Sequence, residues 1–198
     1  MCYSMRMKRR IITLGGLPGS GKSTVKRLLA EKLGYQMLST GDFVRDMAAA
    51  RNLTLEEFNA IITNDKTLDE EIDARLIEIE AHGDRYVIDS HLAFHFIPSS
   101  FKVLLTVSPE TSAERIFNDS ASVSRQKSGE VMQTLEEARE RTAKRIQNHR
   151  ERYQKHYGVD PYHPEEYDLV IDTEGGTPGE IAETIAEAYR VWLGLGEE

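Results

Sequence analysis

Cysteine is almost missing from this 198-residue chain, with a single one at position 2. That excludes an intramolecular disulfide and the small stapled folds that depend on one, and it suits a reducing compartment. Long apolar runs are missing too. The run that follows Lys8, Arg9 and Arg10 breaks at Gly15-Gly16, too short for a signal-peptide core, and no stretch approaches the roughly eighteen apolar residues of a membrane helix. A soluble, cytoplasmic protein with no membrane partner is therefore expected. There is no excess of positive charge: the formal net charge is −8, which argues against general nucleic-acid binding. The basic residues concentrate between Arg139 and Lys155, where seven Lys or Arg face two Glu, so one local anion site is expected. No aromatic residues interleave the cationic stripe of this stretch to stack bases, which weakens an RNA-binding reading. Internal repeats and low-complexity segments are also absent. The length fits one domain over residues 1–198, and a monomer is expected.

What is present is decisive near the N-terminus. Gly16-Leu17-Pro18-Gly19-Ser20-Gly21-Lys22-Ser23 fits the phosphate-binding loop pattern G-x-x-x-x-G-K-[ST]. It follows an apolar run (Ile11, Ile12, Leu14) and precedes a helical pattern (Val25, Leu28, Leu29, Leu33), the context the motif needs. Glycines let successive backbone N–H groups point inward as an anion nest, and the helix start adds its positive dipole end. Lys22 would then reach the β- and γ-phosphates, the Ser23 hydroxyl would ligate Mg²⁺, and Thr24 completes the nucleotide-facing stretch. Binding of a nucleoside triphosphate, ATP in the first instance, follows.

Short apolar runs predict strands at Arg10–Gly15, Tyr35–Ser39, Arg85–Asp89, Phe101–Val107 and Tyr167–Asp172. Helical patterns lie between them, at Lys22–Leu33, Gly41–Arg51, Leu55–Ile62 and Leu68–Ala81. Capping boxes are expected at Thr54-x-x-Glu57, Thr67-x-x-Glu70 and Thr177-x-x-Glu180, and Ser108-Pro109 reads as an N-cap followed by proline at the first helical position. Alternating strands and helices predict an α/β fold with a parallel sheet covered on both faces. Two segments exceed what a simple crossover needs, about 40–82 and about 109–160. Triphosphate binding requires neither, so both point to a second substrate.

Three constellations border the loop in this reading. After the second strand, Thr40 is expected as an N-cap, with Asp42 in the first helical turn and Arg45 one turn on, able to fork onto a phosphate. At the end of the third strand, Asp89 is a candidate holder of Mg²⁺-bound water. His91, two residues later, can bind phosphate as a cation, act as acid or base, or satisfy its loop; His95 reads as structural. On the basic helix, Arg141, Arg145 and Arg152 fall within about 40° of one another. They are expected to lack acidic partners one turn away, so that a polyphosphate would relieve their repulsion. Arginines placed so stabilise charge on a transferred phosphoryl group.

With these residues in view, the chain resembles the nucleoside monophosphate kinases, nearest the short archaeal-type cytidylate kinases. The resemblance rests on Gly16–Ser23, Thr40-Gly-Asp42-x-x-Arg45, Leu55-Glu-Glu-Phe58, the stretch from Asp65 to Asp73 with Ile72-Asp73, Glu114-Arg115-Ile116, Arg152-Tyr153 with Tyr157-Gly-Val-Asp160, and Tyr167–Asp172. It implies a three-layer P-loop NTPase fold with a five-stranded parallel sheet, a helical monophosphate-binding insertion at about 40–82 and a helical lid at about 118–145. It implies transfer of the γ-phosphoryl group of ATP, with Mg²⁺, to a nucleoside monophosphate, CMP or dCMP first. Lys22, Arg141 and Arg145 would act on the phosphates, Thr40, Asp42, Arg45 and His91 would hold the acceptor, Arg115 would lie near the ATP, and no covalent intermediate is expected. One departure stands out: cytidylate kinases commonly have Gly-Arg where this chain has Ser90-His91. An adenylate or other small-molecule kinase, and a P-loop regulatory module with slow hydrolysis, are the alternatives. The Asp-Gly-Phe-Pro-Arg of adenylate kinases is absent.

Overall fold

The structure, a computed structural model, describes residues 9–62, 66–119 and 132–195. Strand β1 (Ile11–Gly16) leads into helix α1 (Lys22–Leu33), β2 (Gln36–Ser39) and three helices, α2 (Thr40–Ala50), α3 (Leu55–Ile62) and α4 (Lys66–His82). Then come β3 (Tyr86–Asp89), a short α5 (Ala93–Phe96), β4 (Phe101–Thr106), α6 (Pro109–Asp119), α7 (Leu135–Tyr157), β5 (Leu169–Asp172) and α8 (Pro178–Leu193). The five strands form one sheet in the order β2-β3-β1-β4-β5, every neighbouring pair parallel.

Burial explains why the strands look alike in sequence. All six residues of β1 are buried, while the edge strands β2 and β5 alternate or stay open. Ile12 and Leu14 point to the face packed by α1 and α8, against Val25, Leu29, Ile185 and Tyr189. Ile11 and Ile88 point to the opposite face, against Leu76 and Ile79 of α4 and Ile97. After β1 the chain moves to β2 and β3 on one side, then returns to β4 and β5 on the other. The loop after β1 therefore lies at the point where the winding reverses, where open α/β sheets form their crevice.

Boundaries shift for identifiable reasons. β3 starts at Tyr86, not Arg85, because Arg85 has φ 59°, in the left-handed region. β5 starts at Leu169, not Tyr167, because a 3₁₀ turn over Pro164–Glu166 precedes it. The cap of α2 is Ser39, whose side chain accepts from the Asp42 N–H, so the expectation of Thr40 as N-cap is corrected: Thr40 is the first helical residue. Thr67 is likewise inside α4, which is already helical at Lys66, and is not its cap. The boxes at Thr54 and Thr177 form as expected, each hydroxyl accepting from the backbone three residues on while the glutamate accepts from the cap N–H. Ser108 caps α6 by accepting from Thr111. The expected lid at about 118–145 lies partly outside the described residues; its described end is the start of α7, capped by Thr134.

Candidate active site

The loop between β1 and α1 has the backbone its glycines require. Gly16, Gly19 and Gly21 have φ of 145°, 74° and 83°, a region that side-chain-bearing residues avoid. A Cβ on Gly19 would lie 2.7 Å from the Ser112 carbonyl, and one on Gly16 would collide with the Leu105 carbonyl. The loop is clamped from outside. The Ser112 hydroxyl donates to the Pro18 carbonyl at 2.7 Å, Leu17 N–H to Leu105 at 3.3 Å, and Ser20 N–H back to Leu17 at 3.2 Å. Arg115 of α6 bridges this loop to the end of β5, donating to Gly19 O at 3.4 Å and to Thr173 O at 2.8 Å.

Lys22 curls over the loop and donates to the Gly16 and Leu17 carbonyls, both at 2.9 Å. Desolvation lowers its pKa to about 8, and the nearby Arg145 adds to this while Asp89 opposes it. Ser23 and Thr24 open α1 and are exposed. The Ser23 hydroxyl lies 3.5 Å from the carboxylate of the mostly buried Asp89. These two hard oxygens, at the mouth of an anion nest, suit Mg²⁺, which keeps several waters and takes few protein ligands. No group of three or more His, Cys, Asp or Glu able to hold a metal occurs among the described residues, in keeping with a metal that would be completed by phosphate oxygens.

A cleft opens at Arg145, whose charge reaches Lys22. α2 supplies Thr40, Gly41, Val44 and Arg45; α3 and α4 supply Leu55, Ile72 and Asp73; the end of β3 supplies Ser90, His91 and Leu92; α7 supplies Arg145, His149 and Tyr153. Helices α2, α3 and α4 thus contribute one wall of the cleft and α7 another. Arg45 is held by Asp42, whose carboxylate also stands 3.8 Å from Lys26. Although partial burial raises the Asp42 pKa, Arg45 and Lys26 outweigh it and hold the carboxyl below its usual range. Asp42 is not among the residues lining the cleft; it meets it through Arg45.

The arginine stripe divides. Arg145 lines the cleft. Arg141 does not, and the expectation that it lacks an acidic partner is corrected: it pairs at 2.9 Å with Glu137, one turn earlier. Arg152 is buried, donating to the Tyr153 hydroxyl at 2.6 Å with its guanidinium 4.6 Å from that ring's centroid.

The His91 ring packs against that of His149 at 4.4 Å between centroids, tilted by 55°, and His149 Nδ1 is 2.9 Å from the Tyr162 hydroxyl. Desolvation first, then the charges of Lys22, Arg145 and Arg152, push both histidines well below their ordinary pKa. Of the readings open for His91, a resting phosphate-binding cation is disfavoured, because both rings are neutral near pH 7. His95 is exposed, its ring 5.0 Å from Phe96. His149, Asp73 and Tyr153 were not singled out as site residues from sequence. His149 was findable, since it lies four residues after Arg145 on the same helix face; Asp73 belongs to the stretch that carries the family resemblance, but its spacing gave it no role in the site.

The family model described as an AAA domain matches residues 12–136. A cytidylate kinase of Methanothermobacter thermautotrophicus is 36% identical, over 82% of this chain and 94% of that one. An S-adenosylmethionine-dependent nucleotide dehydratase of Lacinutrix mariniflava is 38% identical over 90% of this chain, which spans only 36% of that protein's length. Among solved structures, shikimate kinase from Acinetobacter baumannii superposes with a TM-score of 0.59 at 18% identity, covering 96% of each chain.

Proposed function

The chain belongs to this AAA-domain family of P-loop kinases, as one of the nucleoside monophosphate kinases of cytidylate kinase type, and from that premise we propose that it moves the γ-phosphoryl group of ATP to CMP or dCMP. One observation carries the reading: a cleft with Arg45 and Arg145 in its wall opens next to the phosphate loop, Arg145 standing near enough to Lys22 to lower its pKa. A module that only bound or slowly hydrolysed a triphosphate would have no use for the second cleft.

In this scheme the loop N–H groups and Lys22 hold the triphosphate, with Arg115 fixing the loop. Thr40 and Arg45 hold the acceptor phosphate, and Arg145 faces both phosphates and stabilises the charge between them. Arg141 would first have to exchange Glu137 for a phosphate. His91 and His149, neutral and packed, contribute hydrogen-bonding edges to the acceptor wall. Ser23 and Asp89 would hold Mg²⁺, which supplies charge neutralisation on the phosphates. Among the described residues no helix is long and apolar enough to cross a membrane, and the substrates are small and water-soluble.

The test is ADP release with ATP, Mg²⁺ and a panel of CMP, dCMP, UMP and AMP. Stimulation by CMP or dCMP well above ATP hydrolysis alone is expected. If no monophosphate raises turnover, the reading is wrong; preference for AMP would reassign the acceptor.

A further inference from the structure

One helix face measures out the cleft. Arg145, His149, Tyr153 and Tyr157 follow at intervals of four residues on α7 and so form a single row, about 18 Å from first to last. The first three line the cleft. At the Arg145 end lie the loop and Lys22. At the far end the Tyr157 hydroxyl donates to the Asp73 carboxylate at 2.6 Å. Asp73 lines the cleft from α4 and is 8% exposed. It is the one acidic side chain among the lining residues, which include two arginines, two histidines and an apolar group of Val44, Leu55, Ile72 and Leu92.

This charge layout orients a monophosphate. A dianionic phosphate is repelled by Asp73 and attracted by Arg45, Arg145 and Lys22, so the base must lie toward Asp73, against the apolar wall and Tyr153. A buried carboxylate at that position only accepts hydrogen bonds. It selects among bases by what their edge offers. Cytosine projects an amino group at its 4-position. Uracil has a carbonyl oxygen there, and its one edge N–H is flanked by two carbonyls whose lone pairs repel a carboxylate. We propose that Asp73, held in place by Tyr157, is the specificity-determining residue of the acceptor site, accepting a hydrogen bond from the exocyclic amino group of the base and rejecting uracil. The inference rests on the monophosphate kinase reading above and adds to it the residue that reads the base.

CMP and UMP differ only at the atoms in question, which makes them the natural probes. For the native protein, kcat/KM should be about tenfold to a hundredfold higher for CMP than for UMP, and a CMP analogue lacking the 4-amino group should fall to the UMP level. Asp73→Asn keeps the shape but offers uracil a donor; it should lower CMP turnover and raise that of UMP, collapsing the ratio toward one. Tyr157→Phe leaves the carboxylate but removes this hydrogen bond to it, and should narrow the ratio by part of that amount. If the native enzyme treats CMP, the analogue lacking the 4-amino group and UMP alike, the inference is overturned while the kinase reading stands. The same holds if a folded Asp73→Asn keeps the native ratio or loses UMP turnover selectively. Absence of turnover with every monophosphate overturns both. The analogue series uses the unaltered protein, so a misfolded variant does not decide the outcome.

Discussion

The lowered pKa of Lys22 makes nucleotide binding a proton-uptake reaction in alkaline solution. In the free protein the ammonium is desolvated over the loop and its pKa is about 8, against 10.5 for an ordinary lysine. At pH 8.5 roughly a quarter of the molecules then carry the proton. A bound triphosphate surrounds Lys22 with negative oxygens and returns the pKa to the ordinary value or above. Binding should therefore take up about 0.7 proton at pH 8.5 and about 0.1 at pH 7. His91 and His149 do not confuse the result at pH 8.5, because burial and neighbouring cations keep both neutral there in the free protein. The sign is fixed by linkage. A lysine whose folded pKa is depressed costs stability wherever it is charged, so this cost is present below pH 8 and is lifted between about 8 and 10.5. The assay is titration calorimetry of Mg·ATP into the protein at both pH values, in two buffers of different ionisation enthalpy. An uptake that does not grow between pH 7 and pH 8.5 would refute the burial argument for Lys22.

Other substitutions separate the remaining roles. Arg145→Ala should lower kcat by about 10²–10³ with little change in ATP affinity; steady-state kinetics that instead showed only a raised KM for ATP would place Arg145 in ground-state binding. Gly21→Ala meets no atom within 4 Å and should cost about 1 kcal/mol for its positive φ alone, whereas Gly19→Ala also meets the Ser112 carbonyl and should cost about 2–4 kcal/mol in urea denaturation. Equal costs would show that the loop yields at Ser112. His91→Arg puts another cation beside Lys22, Arg145 and Arg152 in a packed stack, so melting should fall by about 5–10 °C, not improve acceptor affinity. An unchanged melting temperature together with a lower acceptor KM would mean that position 91 opens onto the phosphate.

Most of the fold was legible in the chain because its signals are local. Short apolar runs mark strands buried on both faces, the glycine pattern from Gly16 to Lys22 dictates a loop geometry, and Thr54 and Thr177 cap helices through contacts three residues away. Errors fell where a distant or off-pattern contact ruled. Arg85 adopts a left-handed conformation and shortens β3; Ser39, not Thr40, caps α2. Arg141 was an avoidable error, since Glu137 stands one turn before it.

The site divides along the same line. Lys22, Ser23 and the loop glycines belong to one contiguous segment, so the sequence by itself determined that a polyphosphate cradle exists and that Arg45 and Arg145 were candidates to face it. What the cradle adjoins was decided by packing between segments far apart in the chain. Tyr157 reaches Asp73 across 84 positions and Ser23 approaches Asp89 across 66. His91 and His149 meet ring against ring from a strand end and a helix middle. Only the sheet order, with β3 beside β1, brings Asp89 to the loop. Only the approach of α4 to α7 around the cleft, marked by the Tyr157–Asp73 hydrogen bond, makes a helical aspartate the one carboxylate lining it. Periodicity records which face of a helix is apolar; which partner that face meets, and therefore what its polar residues can bind, is a property of the assembled chain.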